Sequence, residues 1–185
     1  MKLPKIFVIL QKIFAMDFLK LAQDRYSCKK MNGEKVTREQ LNVILEAGRW
    51  APTAKNLQEQ HIYVIESAEG LAKVDALTPC RYNAATVLMV AWDSANVYTY
   101  PGGKRESGAE DATIVATHMM LAAKSVGVES CWVNCFDPDK AAEIFELPQN
   151  ERVLMLLDLG YPAEGGTPLA NHASRKPLDA TVTHI

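Results

Sequence analysis

The stretch Ala85–Trp92 restricts what this chain can fold into more than any other. All but Thr86 is apolar, with no alternation of polar residues to mark a wet face. A strand of that kind is buried on both sides, so its sheet must be covered by helices above and below. Other candidate strands, His61–Glu66, Val128–Phe136 and Val153–Gly160, lie among helical segments in loose alternation. That order predicts an α/β (α+β) chain with a mixed central sheet covered by helices.

The helices are read from period and caps. Asp17–Arg25 places Phe18, Leu21 and Ala22 on one side. Thr37 with Gln40 forms a capping box ahead of an inner stripe of Leu41, Ile44, Leu45 and Gly48. Ser67 caps a helix with Leu71, Val74 and Leu77 facing inward, stopped by Pro79. Gly108–Val126 is the longest, with Ala112, Val115, Ala116, Met119, Met120 and Ala123 spread over more than one face, as helix-on-helix packing within the core or across a subunit boundary requires. Gly127 stops it. Asp137-Pro138 opens the next helix with proline at its first position. Asn96–Ser107, with Pro101-Gly102-Gly103 and two tyrosines, reads as a mobile lid. Tyr161–Ile185 has no core of its own and should lie across another part of the molecule.

Composition narrows the partners. Among 185 residues, 20 Lys and Arg face 22 Asp and Glu, a net charge of −2, and no basic tail appears. Nucleic acid is therefore not the expected partner. No apolar run is long enough to cross a bilayer. Met1–Ala15 breaks its apolar core after Leu10 and reads as an N-terminal extension ahead of a single domain, Met16–Ile185; a secretory signal or an upstream start are the other readings. The four cysteines, Cys28, Cys80, Cys131 and Cys135, have no zinc spacing; Cys131 and Cys135, four apart in a candidate strand, would lie on one face, and all four read as buried thiols in a cytoplasmic protein.

Three polar clusters could carry chemistry. In Arg25-Tyr26-Ser27-Cys28-Lys29-Lys30 the alternating Arg25, Ser27 and Lys29 could hold a phosphate, although the segment alone also reads as a solvated basic loop. Between the second helix and the first strand, Pro52, Thr53, Ala54, Asn56 and Gln58 form a turn rich in compact donors and acceptors. A flat heterocycle with a polar edge would need such a surface, and an ordinary connecting loop would use the same residues. The third cluster is Arg175-Lys176-Pro177. No catalytic triad, metal cluster or G-x-G-x-x-G is present in the sequence.

Together these segments resemble the nitroreductase family of flavin enzymes. Arg25-x-Ser27-x-Lys29 is similar to its opening Arg-x-Ser-x-Arg. Ala51-Pro52-Thr53-Ala54-Lys55-Asn56-Leu57-Gln58 is similar to its Ala-Pro-Ser-x-x-Asn-x-Gln, and Ser130-Cys131-Trp132 to its Gly-Leu-Gly-x-Cys-Trp strand. Leu159-Gly160-Tyr161-Pro162 and Arg175-Lys176-Pro177 correspond to the closing segment. The chain departs with Lys29 for arginine and with Glu59-Gln60 where proline and an aromatic are usual.

The resemblance implies a three-layer fold and a homodimer with FMN at the subunit interface. Arg25, Tyr26, Ser27, Lys29 and Arg175, with Lys176 beside it, would surround the ribityl phosphate. Pro52, Thr53, Ala54, Asn56 and Gln58 would reach the flavin from the partner, and Trp132, Val133 and Asn134 would present backbone to the ring. NAD(P)H would be the co-substrate and a small-molecule oxidant, a nitroaromatic or quinone, would take its place in a ping-pong cycle. No side-chain catalyst is then required, because the cofactor carries the reaction. A flavin-binding protein without turnover and a flavodoxin-like electron carrier are the alternatives.

Overall fold

A computed structural model describes residues 17–185. The expected extension, Met1–Ala15, lies outside the described residues. The strands are β1 (Gln60–Ile65), β2 (Thr86–Asp93), β3 (Glu129–Val133) and β4 (Glu151–Gly160), in the spatial order β1-β2-β4-β3. All three ladders are antiparallel, which corrects the expected mixed sheet. A parallel pairing survives as a single bridge, Ser27 to Ser130, where the N-terminal segment runs beside β3.

The apolar run is the interior strand it was read to be. From Thr86 to Ala91, β2 is buried on both faces. Its side chains alternate between two cores: Leu88 and Val90 face one, Val87 and Met89 the other. Helices α2 (Arg38–Arg49) and α4 (Gly108–Ser125) cover the first core. Helices α3 (Ala68–Leu77) and α5 (Pro138–Ile144) cover the second, so the fold has three layers. Helix α1 (Phe18–Asp24) packs on α4.

The caps act as their spacing predicts. Thr37 and Gln40 bond reciprocally, Ser67 Oγ accepts from Gly70 N, and Asp137 accepts from Asp139 N and Lys140 N. Gly127 has φ 77°, a left-handed turn between α4 and β3. Gly48 lets α2 and α4 approach closely, since a Cβ there would lie 2.9 Å from Met119 Cγ.

Two features depart from expectation. Cys131 is buried in β3, whereas Cys135 lies beyond its end and is exposed, so the two thiols do not share a strand face. Residues 96–107 form a closed hairpin, bridged at Thr99 and Glu106. The Tyr100 hydroxyl donates to Glu110 Oε2 at 2.5 Å, and Arg105 pairs with the same carboxylate. No described helix is long and apolar enough to cross a membrane.

Candidate functional site

The N-terminal segment 25–31 is an extended edge beside β3. Cys28 N donates to Ser130 O at 2.9 Å, and Tyr26 and Cys28 point into the core. Strand alternation leaves Arg25, Ser27 and Lys29 on the outer side. The C-terminal tail returns over this edge. The Tyr26 hydroxyl donates to Gly166 O at 3.1 Å, and His172 Nε2 lies 2.9 Å from Gln23 O.

The fold between these segments leaves a recess of about 200 Å³ lined by Arg25, Tyr26, Ser27, Asn171, His172 and Arg175. Residues 150 positions apart are thus brought to one place, as 175 − 25 shows. The tail bends there because Arg175 Nη1 donates to the carbonyls of His172 and Ser174 at 2.6 and 2.7 Å. Two guanidinium groups beside a hydroxyl suit a phosphate monoester. The recess is smaller than the roughly 300–1,000 Å³ of a pocket for a whole ligand, and so suits a terminal group. Lys29 and Lys176 do not line it. Lys29 instead reaches the Tyr82 ring, 5.9 Å from its centroid.

The turn at 52–58 lies at the start of α4. Ala54 N donates to Asp111 Oδ1 at 3.0 Å, and Gln58 N donates to Thr53 Oγ1 at 3.0 Å. Lys55, Asn56 and Gln58 all have positive φ, near 55°, a strained path for residues other than glycine. This geometry keeps Pro52, Asn56 and Gln58 exposed, with Thr53 and Ala54 partly so. Lys55 Nζ sits 4.7 Å over the Tyr98 ring, and Asn96 Nδ2 donates to Leu57 O, which joins the turn to the 96–107 hairpin.

Beneath the turn is a buried acid pair that sequence reading did not single out. Glu59 is closed in beside Asp111, with the Ser107 hydroxyl donating to Glu59 Oε1 at 3.5 Å. Burial, with the Asp111 carboxyl next to it, raises the Glu59 pKa to about 7. The departure at Glu59-Gln60 was the available signal. Asn171 and His172 were also missed as recess residues, since only the folded tail brings them to Arg25. At the end of β3, Val133 is buried, and Trp132 Nε1 donates to Asn134 Oδ1 at 2.9 Å.

Residues 22–81 and 77–161 match the model of the nitroreductase family. The chain belongs to that family. A nitroreductase family protein from Clostridium difficile shares 35% identity and a TM-score of 0.85, over 91% of this chain and 98% of its own. A Methanothermobacter thermautotrophicus protein assigned as an NADH dehydrogenase/NAD(P)H nitroreductase is 27% identical over 94% of this chain and 89% of its own length. A structure from Exiguobacterium sibiricum, assigned as a nitroreductase and solved in complex with FMN, shares the fold, with a TM-score of 0.78 at 21% identity over 92% of this chain and 98% of its own. The expected family, three-layer architecture and oxidoreductase class all stand for this chain.

Proposed function

We propose that this nitroreductase is a homodimeric, cytoplasmic, FMN-dependent oxidoreductase that uses NAD(P)H to reduce electron-poor small molecules such as nitroaromatics and quinones. The observation that carries the proposal is the placement of two clusters on one helix. The turn at 52–58 is bonded to Asp111 near the start of α4. The recess lies near its end, where Lys124 Nζ is 5.5 Å from the Tyr26 ring centroid. Thirteen positions, 124 − 111, separate these anchors, which is about 20 Å at 1.5 Å per residue. A phosphate cradle and a ring-edge cradle so far apart serve one cofactor if α4 pairs with its copy about a twofold axis, turn of one protomer to recess of the other.

Within that assembly Arg25, Ser27 and Arg175 hold the phosphate. Pro52, Thr53, Ala54, Asn56 and Gln58 of the partner close over the ring edge, and Trp132–Asn134 offers backbone groups. When bound, FMN supplies the hydride chemistry between NAD(P)H and the oxidant. The protein contributes position, exclusion of water and a fixed cationic field. Tyr26 belongs to the recess wall through its ring, its hydroxyl being committed to Gly166. Lys29 and Lys176 do not line the recess and are not assigned to the phosphate.

The test is Arg25→Ala combined with Arg175→Ala. Each charge-assisted hydrogen bond contributes about 1.5–3 kcal/mol, so FMN affinity should fall at least about a hundredfold. Flavin absorbance after gel filtration reads the loss, with far-ultraviolet circular dichroism as the check on folding. A folded double variant that keeps full flavin occupancy would overturn the phosphate assignment.

A further inference from the structure

Glu59 stands between the last residue of the 52–58 turn and the first of β1, and the fold buries it to 4% exposure. Its backbone is fixed there, since Asp93 N donates to Glu59 O at 2.9 Å. Its side chain has one donor, the Ser107 hydroxyl, and the 3.5 Å to Oε1 is longer than an ordinary hydroxyl bond. Oε2 is buried with no partner among the described residues. A carboxylate out of water needs several good donors or a cation to stay ionised. Glu59 has neither, so its pocket is built for the neutral acid.

Ser107 is a junction between both walls of the opening. Its N–H donates to Tyr98 O at 3.0 Å and its hydroxyl accepts from Tyr98 N at 3.2 Å, which closes the 96–107 hairpin. Its carbonyl accepts from Asp111 N at 2.8 Å, and Asp111 Oδ1 accepts from Ala54 N of the turn at 3.0 Å. Turn and hairpin are thus both tied to the start of α4, and Glu59 rests against the tie. The charges around it are committed elsewhere. On the hairpin, Glu106 Oε2 accepts from Gly108 N at 2.5 Å, and Arg105 pairs with Glu110 of α4. On the turn, Lys55 Nζ lies over the Tyr98 ring. At the end of β2, Asp93 Oδ1 accepts from Ala95 N and Asn150 Nδ2. Burial first, and the Asp111 carboxyl second, keep the Glu59 proton in place up to about pH 7.

We infer that Glu59 is a positioning residue: protonated, it locks the turn and the hairpin together at the rim of the ring-edge cradle, and its ionisation loosens both walls. The consequence for cofactor binding rests on the FMN reading given above. An ionised Glu59 gains by reaching water. It does so by parting from Ser107 and drawing on Gln58, the adjoining end of the turn. The proton-bound form is the competent one, so FMN affinity holds below neutral pH and falls as pH rises above it. Proline at this position, usual in the family the chain resembles, has no such group, and the pH dependence belongs to chains that carry the acid.

The experiment is amide hydrogen exchange on the full chain at about pH 6 and about pH 8.5, either side of the Glu59 titration. Rates are corrected for the intrinsic pH dependence of exchange. Peptides covering 52–58 and 96–107 are compared with β2 as the internal reference. The wild type should lose protection in both segments by at least about tenfold at the higher pH, with no such loss in β2. Glu59→Gln, isosteric with the neutral acid, should keep its protection at both pH values. FMN titrations in the same buffers should show the wild-type dissociation constant rising with pH by a similar factor relative to Glu59→Gln. The cofactor phosphate, with its second pKa near 6, and Asp158 titrate in both proteins, so the difference between the two belongs to Glu59. Equal wild-type protection at both pH values, or the same loss in Glu59→Gln, would overturn the proposal. Should Glu59→Gln not fold, the wild-type exchange decides alone. A chain with the expected exchange that binds no FMN at either pH would support the lock and overturn the FMN reading.

Discussion

Asp158 shows how much a single residue's setting can matter. It sits in β4 within Leu156–Leu159, fully buried, and neither carboxylate oxygen has a hydrogen-bond partner. Burial raises its pKa from 3.8 to about 8, even with the Arg81 guanidinium acting to lower it. The folded chain therefore keeps this proton while the unfolded chain, above pH 3.8, gives it up. Its contribution to stability is present below the unfolded value and is lost as pH rises from about 4 to about 8. Asp158→Asn should match the wild type near the acid end of that window and exceed it in midpoint temperature near the alkaline end. Thermal melts across the window check this, and a difference independent of pH would refute it. Burial of this kind was not legible from the residue alone. An aspartate in an apolar run marks a strand end as readily as a core position, and only the pairing of β4 between β2 and β3 decides.

At the scale of elements, what was legible followed from local physics. Capping hydroxyls and carboxylates, the stripe on α2 and the doubly buried β2 each depend on residues close in sequence, and their boundaries are met within a few positions. What was not legible depends on the chain returning to itself. The Cys131–Cys135 spacing misled because β3 ends at Val133. The antiparallel ladders were hidden because loose alternation of helices and strands does not specify strand direction. Helix α4 carries the next prediction. Its inner residues fill the core, while Ile114 remains exposed and Leu121 and His118 line an apolar groove with Phe18 and Leu21. If α4 pairs with its copy, Ile114→Arg with Leu121→Arg should give a folded monomer that has lost its flavin. Sedimentation with absorbance detection reads both. A dimer that persists with flavin would move the interface elsewhere.

For the molecule as a whole, the proposed assembly has one place for both substrates. The turn at 52–58 and the hairpin at 96–107 are joined through Lys55 and Tyr98, so they bound the same opening. NAD(P)H and the oxidant must then take turns. Initial rates at several fixed oxidant concentrations should give parallel double-reciprocal lines. Intersecting lines would require a ternary complex and a second nucleotide site.

The strand order has a consequence for how this chain is made. Among the described strands β4 is the latest in the chain, yet it lies between β2 and β3. Until residue 160 has emerged from the ribosome, β3 has only the segment 25–31 beside it and β2 offers a bare apolar edge. Such an edge invites pairing with other chains, and contacts between distant segments form slowly. The nascent sheet is thus exposed to aggregation until β4 arrives, and the recess that includes Arg175 is completed later still. The phosphate recess proposed for the flavin forms only once residue 175 has emerged as well.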